Sequence, residues 1–160
     1  MKKLGIVFLT ALLFVLCAVG CGQTPNTDDD LPVDMSVDII PLLTADDVYK
    51  ASGIKVGEPI DSAEGAVAYF SDDSLSCVYV AAQKSTKEAF DAMCANLATA
   101  GTLADAPNLG DAAVWCEEQV SLLVYVNGVT VDVNVAYADP NPNDSLLAAR
   151  QIAALLIEKM

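Results

Sequence analysis

The strongest constraint on the fold is the segment VSLLVYVNGVTVDVNVAY, residues 120–137, which has Asn127-Gly128 at its centre. Asn-Gly is a preferred pair for a two-residue type I′ turn, because both positions of that turn require a positive φ. β-Branched residues alternate with other residues on both sides of the turn, which is typical of paired strands. The segment therefore predicts an antiparallel hairpin.

Counting outward from the turn predicts which side chains share each face of the hairpin. One face is apolar and pairs Val126 with Val129, Val124 with Val131, Leu122 with Val133, and Val120 with Val135. The opposite face is mainly polar and pairs Tyr125 with Thr130, Leu123 with Asp132, and Ser121 with Asn134. A ribbon of this kind buries its apolar face and leaves the other toward solvent.

Three further segments have the period and the end signals of helices. Residues 44–53 begin with Thr44 as a cap and end at Gly53, and residues 141–160 begin with an Asn cap followed by Pro142. Residues 85–101 begin with Ser85 and Glu88 in the spacing of a capping box and carry one apolar face. The sequence therefore predicts three helices.

Short apolar runs between these helices predict the remaining strands, at residues 66–70, 77–82 and 112–116. The element order is then α-β-β-α-β-β-β-α, with short connections between consecutive strands. We expect an α+β fold, in which an antiparallel sheet of about five strands is covered by three helices on one face. A mixed sheet is the alternative, if the connection 101–111 crosses over the sheet.

The N-terminus has the order of a secretory signal: Lys2 and Lys3, an uncharged apolar run at residues 4–20, and then Cys21. The run is slightly shorter than the ~20 residues that span a bilayer, and the chain becomes polar directly after it. We therefore expect residues 1–20 to be a signal peptide. An uncleaved transmembrane anchor is the alternative.

The four residues Ala18-Val19-Gly20-Cys21 resemble the lipobox of bacterial lipoprotein precursors, with Ala18 in place of the usual Leu. The resemblance implies that the thiol of Cys21 is acylated and that Cys21 becomes the new N-terminus. Cys17 would leave with the signal, because Leu16 before it is too large for the small-residue position. The protein would then be held by its lipid on the extracytoplasmic face of the cell membrane.

Residues 21–41 contain Pro, Thr and several Asp but no helical or strand period, so we expect a flexible acidic linker after the lipidated cysteine. The alternative is that residues 34–40 add an edge strand to the domain. Residues 42–160 are then a single globular domain, because about 119 residues suffice for one core.

Charge limits the classes of partner. The chain has 8 Lys and Arg against 22 Asp and Glu, a net charge of −14, which becomes −16 if Lys2 and Lys3 leave with the signal. Nucleic acid is excluded as a partner, since phosphate binding requires clustered basic residues. The expected contacts are the membrane, through the lipid anchor, and an unknown ligand or envelope protein.

The residue types argue against catalysis. The sequence has no histidine, which removes Ser-His-Asp and Cys-His catalysis and any His-ligated metal. Adjacent carboxylates at 46–47, 72–73 and 117–118 do not form dyads, because neighbouring side chains point in different directions. Residues 139–144 are similar to the start of a calcium loop, but Arg150 stands where the loop requires Glu. We therefore expect no enzyme activity, no cofactor and no metal.

Three cysteines lie in the expected domain: Cys77, Cys94 and Cys116. An oxidising compartment permits one disulfide among them and leaves one thiol over, and the spacing does not determine the pairing. The alternative is that all three stay reduced as small buried residues.

The best candidate for a binding face is the polar side of the hairpin, with Tyr125, Thr130, Asp132 and Asn134. The segments TADDVYKASG (44–53) and LGDAAVW (109–115) resemble parts of small bacterial lipoprotein domains of unassigned function. This resemblance carries no catalytic residues and favours a binding or accessory role. The alternative is a structural or assembly lipoprotein that associates with itself or a partner through its sheet.

Overall fold

The computed structural model describes residues 36–62, 65–139 and 141–160. The predictions for the signal peptide, for Cys21 and for most of the linker lie outside these residues. The described helices are α1 (Ala45–Ser52), α2 (Lys87–Leu97) and α3 (Pro142–Lys159). The described strands are β1 (Ile60–Ser62), β2 (Ala66–Phe70), β3 (Cys77–Lys84), β4 (Leu103–Asp105), β5 (Ala112–Cys116), β6 (Ser121–Val126) and β7 (Val129–Ala136).

The three predicted helices and the α+β class are confirmed. All seven described strands form one antiparallel sheet in the order β1-β2-β3-β7-β6-β5-β4. The expected number of about five strands is wrong, because β1 and β4 were missed. Each has only three residues, too few to show a strand period. The alternative of a mixed sheet is also wrong, since β4 lies within the connection 101–111 and pairs antiparallel with β5.

The central hairpin has the predicted register. Leu122 lies opposite Val133, Val124 opposite Val131, and Val126 opposite Val129. Asn127 and Gly128 both have positive φ, as a type I′ turn requires. The fourth predicted pair does not form, because Val120 has a φ of 51° and belongs to the turn before β6.

The helices cover both faces of the sheet, not one as the sequence predicted. α1 and α3 pack on the apolar face, where buried residues of α3 such as Ile152 and Leu156 join Val131, Val133 and Leu122 in the core. α2 lies on the opposite face, where the ring of Phe90 contacts that of Tyr125. The sequence did not predict this position, because the apolar face of a helix does not indicate which side of the sheet it covers. Of the described residues of α2, Phe90 alone is buried.

The helix caps explain where the elements begin. Thr44 and Asp47 form the capping box of α1, and the predicted Asn141 cap and Pro142 start of α3 are present. The predicted cap of α2 is wrong: Thr86 caps this helix, because the hydroxyl of Ser85 is hydrogen-bonded to Thr130. The described helices include none that is long and apolar enough to cross a bilayer.

The segment before α1 packs on the domain instead of forming part of a linker. The backbone N–H of Val37 donates to the carbonyl of Ala82 at 2.9 Å, and Ser36 pairs with Gln83. The side chain of Ile39 is 1% exposed and lies in the core. The prediction of a flexible linker at 21–41 is therefore wrong for residues 36–41, and the domain begins before residue 42. An apolar side chain at 39 stabilises the domain most when it is buried.

The Leu-Gly-Asp segment noted in the sequence holds the central hairpin turn. Gly110 has a φ of 62°, and a Cβ at this position would lie 2.6 Å from the carbonyl oxygen of Tyr125. The N–H of Asp111 donates to the same carbonyl, and the carboxylate of Asp111 accepts from the N–H of Asn127 at 3.1 Å. The segment thus fixes the start of β5 against the end of β6.

Candidate functional site

The four residues predicted as a binding face do lie on one face of the sheet. Tyr125 of β6 is opposite Thr130 of β7, and Asp132 and Asn134 follow Thr130 at alternate positions. Burial divides them, however: Thr130 is 1% and Asp132 9% exposed, whereas Tyr125 and Asn134 keep partial exposure. The binding role of these residues stays a prediction, and a ligand at this face would meet Tyr125 and Asn134 first.

Asp132 is the centre of a polar cluster on this face. Its Oδ1 accepts hydrogen bonds from Ser121 Oγ and from Asn134 Nδ2, each at 2.8 Å. Burial raises the pKa of Asp132 to about 6, and these two hydrogen bonds oppose the rise because they stabilise the carboxylate. The buried carboxyl of Asp132 is therefore expected to lose its proton, and become negatively charged, in weakly acidic solution.

The first turn of α2 closes the cluster on one side. The hydroxyls of Ser85 and Thr130 are hydrogen-bonded at 2.5 Å, and the rings of Phe90 and Tyr125 have centroids 5.6 Å apart. Every buried side-chain nitrogen or oxygen in the described residues has a hydrogen-bond partner. The geometry favours a structural role for the buried half of the cluster, since buried polar groups that are fully paired fix a unique packing.

The three cysteines of the domain are unpaired thiols in the described structure. Cys77 and Cys116 lie on the same face of the sheet but three strand spacings apart, so their Cα atoms are separated by at least about 14 Å at ~4.8 Å per strand. A direct Cys77–Cys116 disulfide is therefore excluded, because bridged Cα atoms lie within about 7 Å. Burial raises the pKa of Cys77 and of Cys94, which lowers their reactivity as thiolates.

A cavity of about 410 Å³ lies at the β1 end of the sheet, away from the hairpin. Its described lining joins the segment before α1 to strands β1 and β2: Ser36, Asp38, Ile39, Ile40, Asp61, Ser62, Gly65 and Val67. The lining thus combines two aspartates and two serines with the apolar residues Ile39, Ile40 and Val67, and no described lining residue is basic. This volume falls in the range of small-ligand sites in proteins.

Sequence reasoning missed this cavity. Asp38 lies in a segment whose composition predicts a linker, and Asp61 lies in a strand too short to recognise, so no spacing or period connects the two residues. The alternation Ile60-Asp61-Ser62 was the one available signal, because alternation places Asp61 on the face opposite Ile60 and Ser62.

A second depression, of about 320 Å³, lies between α1 and α3 and is lined by Lys50, Ala51, Gln151, Ala154, Leu155 and Glu158. It is shallow, and its charged residues carry both signs. We therefore regard the cavity at β1 as the better candidate for ligand recognition.

The described residues supply groups that can recognise a ligand at the cavity. They contain no group of three or more Cys, Asp or Glu side chains placed to hold a metal ion. The cavity can attract a cation and bury an apolar group beside it.

Comparison with family models, with curated proteins and with solved structures finds no match to this chain.

Proposed function

We propose that this chain is a lipoprotein, anchored at the extracytoplasmic face of the cell membrane, whose domain acts as a non-catalytic binding or accessory module. The lipobox-like segment Ala18-Val19-Gly20-Cys21, placed directly after a basic start and an apolar run, is the observation that carries the proposal. Acyl chains on Cys21 would contribute ~0.8 kcal/mol per buried methylene, and two or more chains give stable attachment.

The binding role is supported by the cavity at β1 and by the charge of the chain. Two carboxylates line the described cavity and no basic side chain does. The absence of histidine from the sequence supports a non-catalytic role, because it removes the commonest general base at neutral pH.

Assembly through the edges of the sheet is the weaker candidate. Both edge strands have only three residues, and each contains an aspartate, Asp61 in β1 and Asp105 in β4. Short edges that carry charge oppose edge-to-edge pairing between identical sheets. A partner with the opposite charge is not subject to this repulsion.

Metabolic labelling with a fatty-acid analogue tests the anchor. Expressed in a bacterium, the chain should incorporate label and fractionate with membranes, and Cys21→Ser should abolish both. Cys17→Ser is the matched control, since Cys17 would leave with the signal and labelling should persist. Unchanged labelling of the Cys21→Ser variant would refute the proposal.

A further inference from the structure

The outermost strand at one end of the sheet is β1, and it has one edge that the described sheet does not use. Within that sheet β1 pairs with β2 alone, with Ile60 opposite Ala68, Asp61 opposite Val67, and Ser62 next in register. The outer edge of such a strand presents backbone donors and acceptors in the pattern that a further strand requires.

The side chains of β1 point to two chemically different surroundings. Asp61 shares the face of Val67 and lines the cavity together with Asp38. Asp38 accepts a hydrogen bond from the N–H of Ile40, and no described lining residue offers either carboxylate a cation. A positively charged side chain that entered the cavity would therefore be attracted by both carboxylates.

The opposite face of β1 carries Ile60 and Ser62, and Ile60 on it is open to solvent. Ile60 is 56% exposed and Phe70 is 39% exposed. Because Ile60 lies opposite Ala68, Phe70 is its diagonal neighbour on the same face, at a typical separation of roughly 7–8 Å. The helix on this face, α2, contacts the sheet at the hairpin end through Phe90 and Tyr125, and Ile60 and Phe70 stay exposed. Ile60 and Phe70 together offer a small apolar surface beside the free edge.

We propose that the free edge of β1 binds an extended segment of a partner protein in which basic and apolar residues alternate. Its backbone would pair with β1, its basic side chains would enter the cavity beside Asp61 and Asp38, and its apolar side chains would contact Ile60 and Phe70. Main-chain hydrogen bonds supply the affinity of such strand addition, and alternate side chains supply the specificity. This inference rests on the binding role proposed above and names its class of partner.

A second copy of this chain fits the edge less well. Pairing two β1 strands would bring two acidic cavities together on chains that each carry a net charge of −14. Like charges that face each other across an interface cost affinity, whereas a basic partner gains it. The chemistry of the edge thus selects a partner with the opposite charge.

Synthetic octapeptides of defined pattern provide the test, with binding to the purified full chain in non-ionic detergent followed by fluorescence anisotropy. A peptide of four Val-Lys repeats should bind at least ten times more tightly than one of four Val-Glu repeats. A block peptide, four Val followed by four Lys, has the same composition but cannot alternate, and it should also bind at least ten times more weakly. The Val-Lys affinity should fall as salt rises.

Two variants with matched controls locate the binding edge. Asp61→Lys should lower Val-Lys affinity at least tenfold, whereas Asp105→Lys, on the opposite edge strand, should not change it. Ile60→Ser should lower the affinity several-fold, whereas Leu147→Ser, on α3 and 57% exposed, should not. All four positions are at the surface, so circular dichroism should show an unchanged fold.

Equal binding of the alternating and block peptides, or an unchanged affinity in Asp61→Lys, would overturn the inference. Concentration-dependent dimerisation that Ile60→Ser removes would assign the edge to a second copy and overturn it too. Incorporation of the fatty-acid analogue at Cys21 is measured on the same preparation, and it tests the lipid anchor independently of peptide binding. A labelled chain that binds no alternating peptide would therefore remove the β1 inference and leave the anchor standing.

Discussion

At the scale of single residues, Gly110 combines two requirements that only glycine meets. Its φ is positive, and a Cβ would meet the carbonyl of Tyr125 at 2.6 Å. Gly53 has a similar φ of +72°, but a Cβ there would meet no atom within 4 Å. The two glycines thus separate the cost of backbone strain from the cost of a steric clash.

We expect Gly110→Ala to lower the free energy of unfolding more than Gly53→Ala does. A left-handed conformation costs a non-glycine residue about 1–3 kcal/mol, and this cost applies to both variants. The additional clash at Gly110 should make the difference between them at least about 1 kcal/mol, measured by urea denaturation. Equal losses would contradict the contact between Gly110 and β6.

The carboxyl of Asp132 binds its proton with different affinity in the folded and the unfolded chain. Its folded-state pKa is about 6, above the value of about 3.9 in unfolded chains. The folded state therefore holds the proton more tightly, so the stability contributed by the protonated carboxyl is present below pH 4 and is lost as pH rises to about 6. The loss amounts to about 3 kcal/mol.

Asp132→Asn removes the titration and keeps the size of the side chain. The stability of the variant relative to the unmodified chain should therefore rise by about 3 kcal/mol between pH 4 and pH 8. Urea denaturation at several pH values measures this change. A difference that stays constant across the range would show that Asp132 does not titrate in the folded protein with a raised pKa.

At the scale of elements, α2 is the described helix that makes the fewest contacts with other elements. It buries one residue, Phe90, as α1 buries only Val48, whereas α3 buries six. Phe90 contacts Tyr125. Ser85, the residue before the Thr86 cap, is hydrogen-bonded to Thr130. We infer that α2 is attached mainly at its first turn.

Phe90→Ala should therefore loosen α2 as a unit. Loss of the ring should cost about 3 kcal/mol. Hydrogen exchange should accelerate at amides of α2 more than at those of β6 and β7. Met93→Ala, at a partly exposed position of the same helix, is the control and should cost less than about 1 kcal/mol. Equal protection of α2 in both variants would contradict attachment through Phe90.

Sequence predicted the elements whose signals are local. The Asn127-Gly128 turn and the alternation around it determined the register of β6 and β7, and the caps at Thr44 and Asn141 determined where two helices begin. The edge strands were missed because three residues cannot show a period. The cavity was missed because Asp38 and Asp61 come together only through tertiary packing.

At the scale of the whole molecule, acidic charge dominates the surface. The chain has 22 acidic residues against 8 basic ones, and the described residues form four ion pairs, of which three are exposed and the pair Lys159–Asp47 is half-buried. Exposed ion pairs contribute little to stability because water screens them, so we expect self-repulsion to be the larger electrostatic effect on the compact state.

Salt should therefore stabilise the folded protein. Raising NaCl from 0.05 to 0.5 M should raise Tm by about 2–5 °C, because the Debye length shortens and repulsion between acidic side chains is screened. Scanning calorimetry measures the shift, and an equal osmolality of sucrose separates screening from solvent exclusion. A fall in Tm with NaCl would indicate that the surface ion pairs outweigh the repulsion.

The place where the chain joins β3 determines how the fold would bear a pulling force on residue 36. The load would pass first through the pairing of Ser36 with Gln83 and the backbone bond from Val37 to Ala82, and not through the whole β3–β7 ladder. After these contacts break, Ile39 and Leu43 must leave the core before α1 can move. Two apolar side chains, more than any strand, would then set the mechanical strength of a domain held by its N-terminal end.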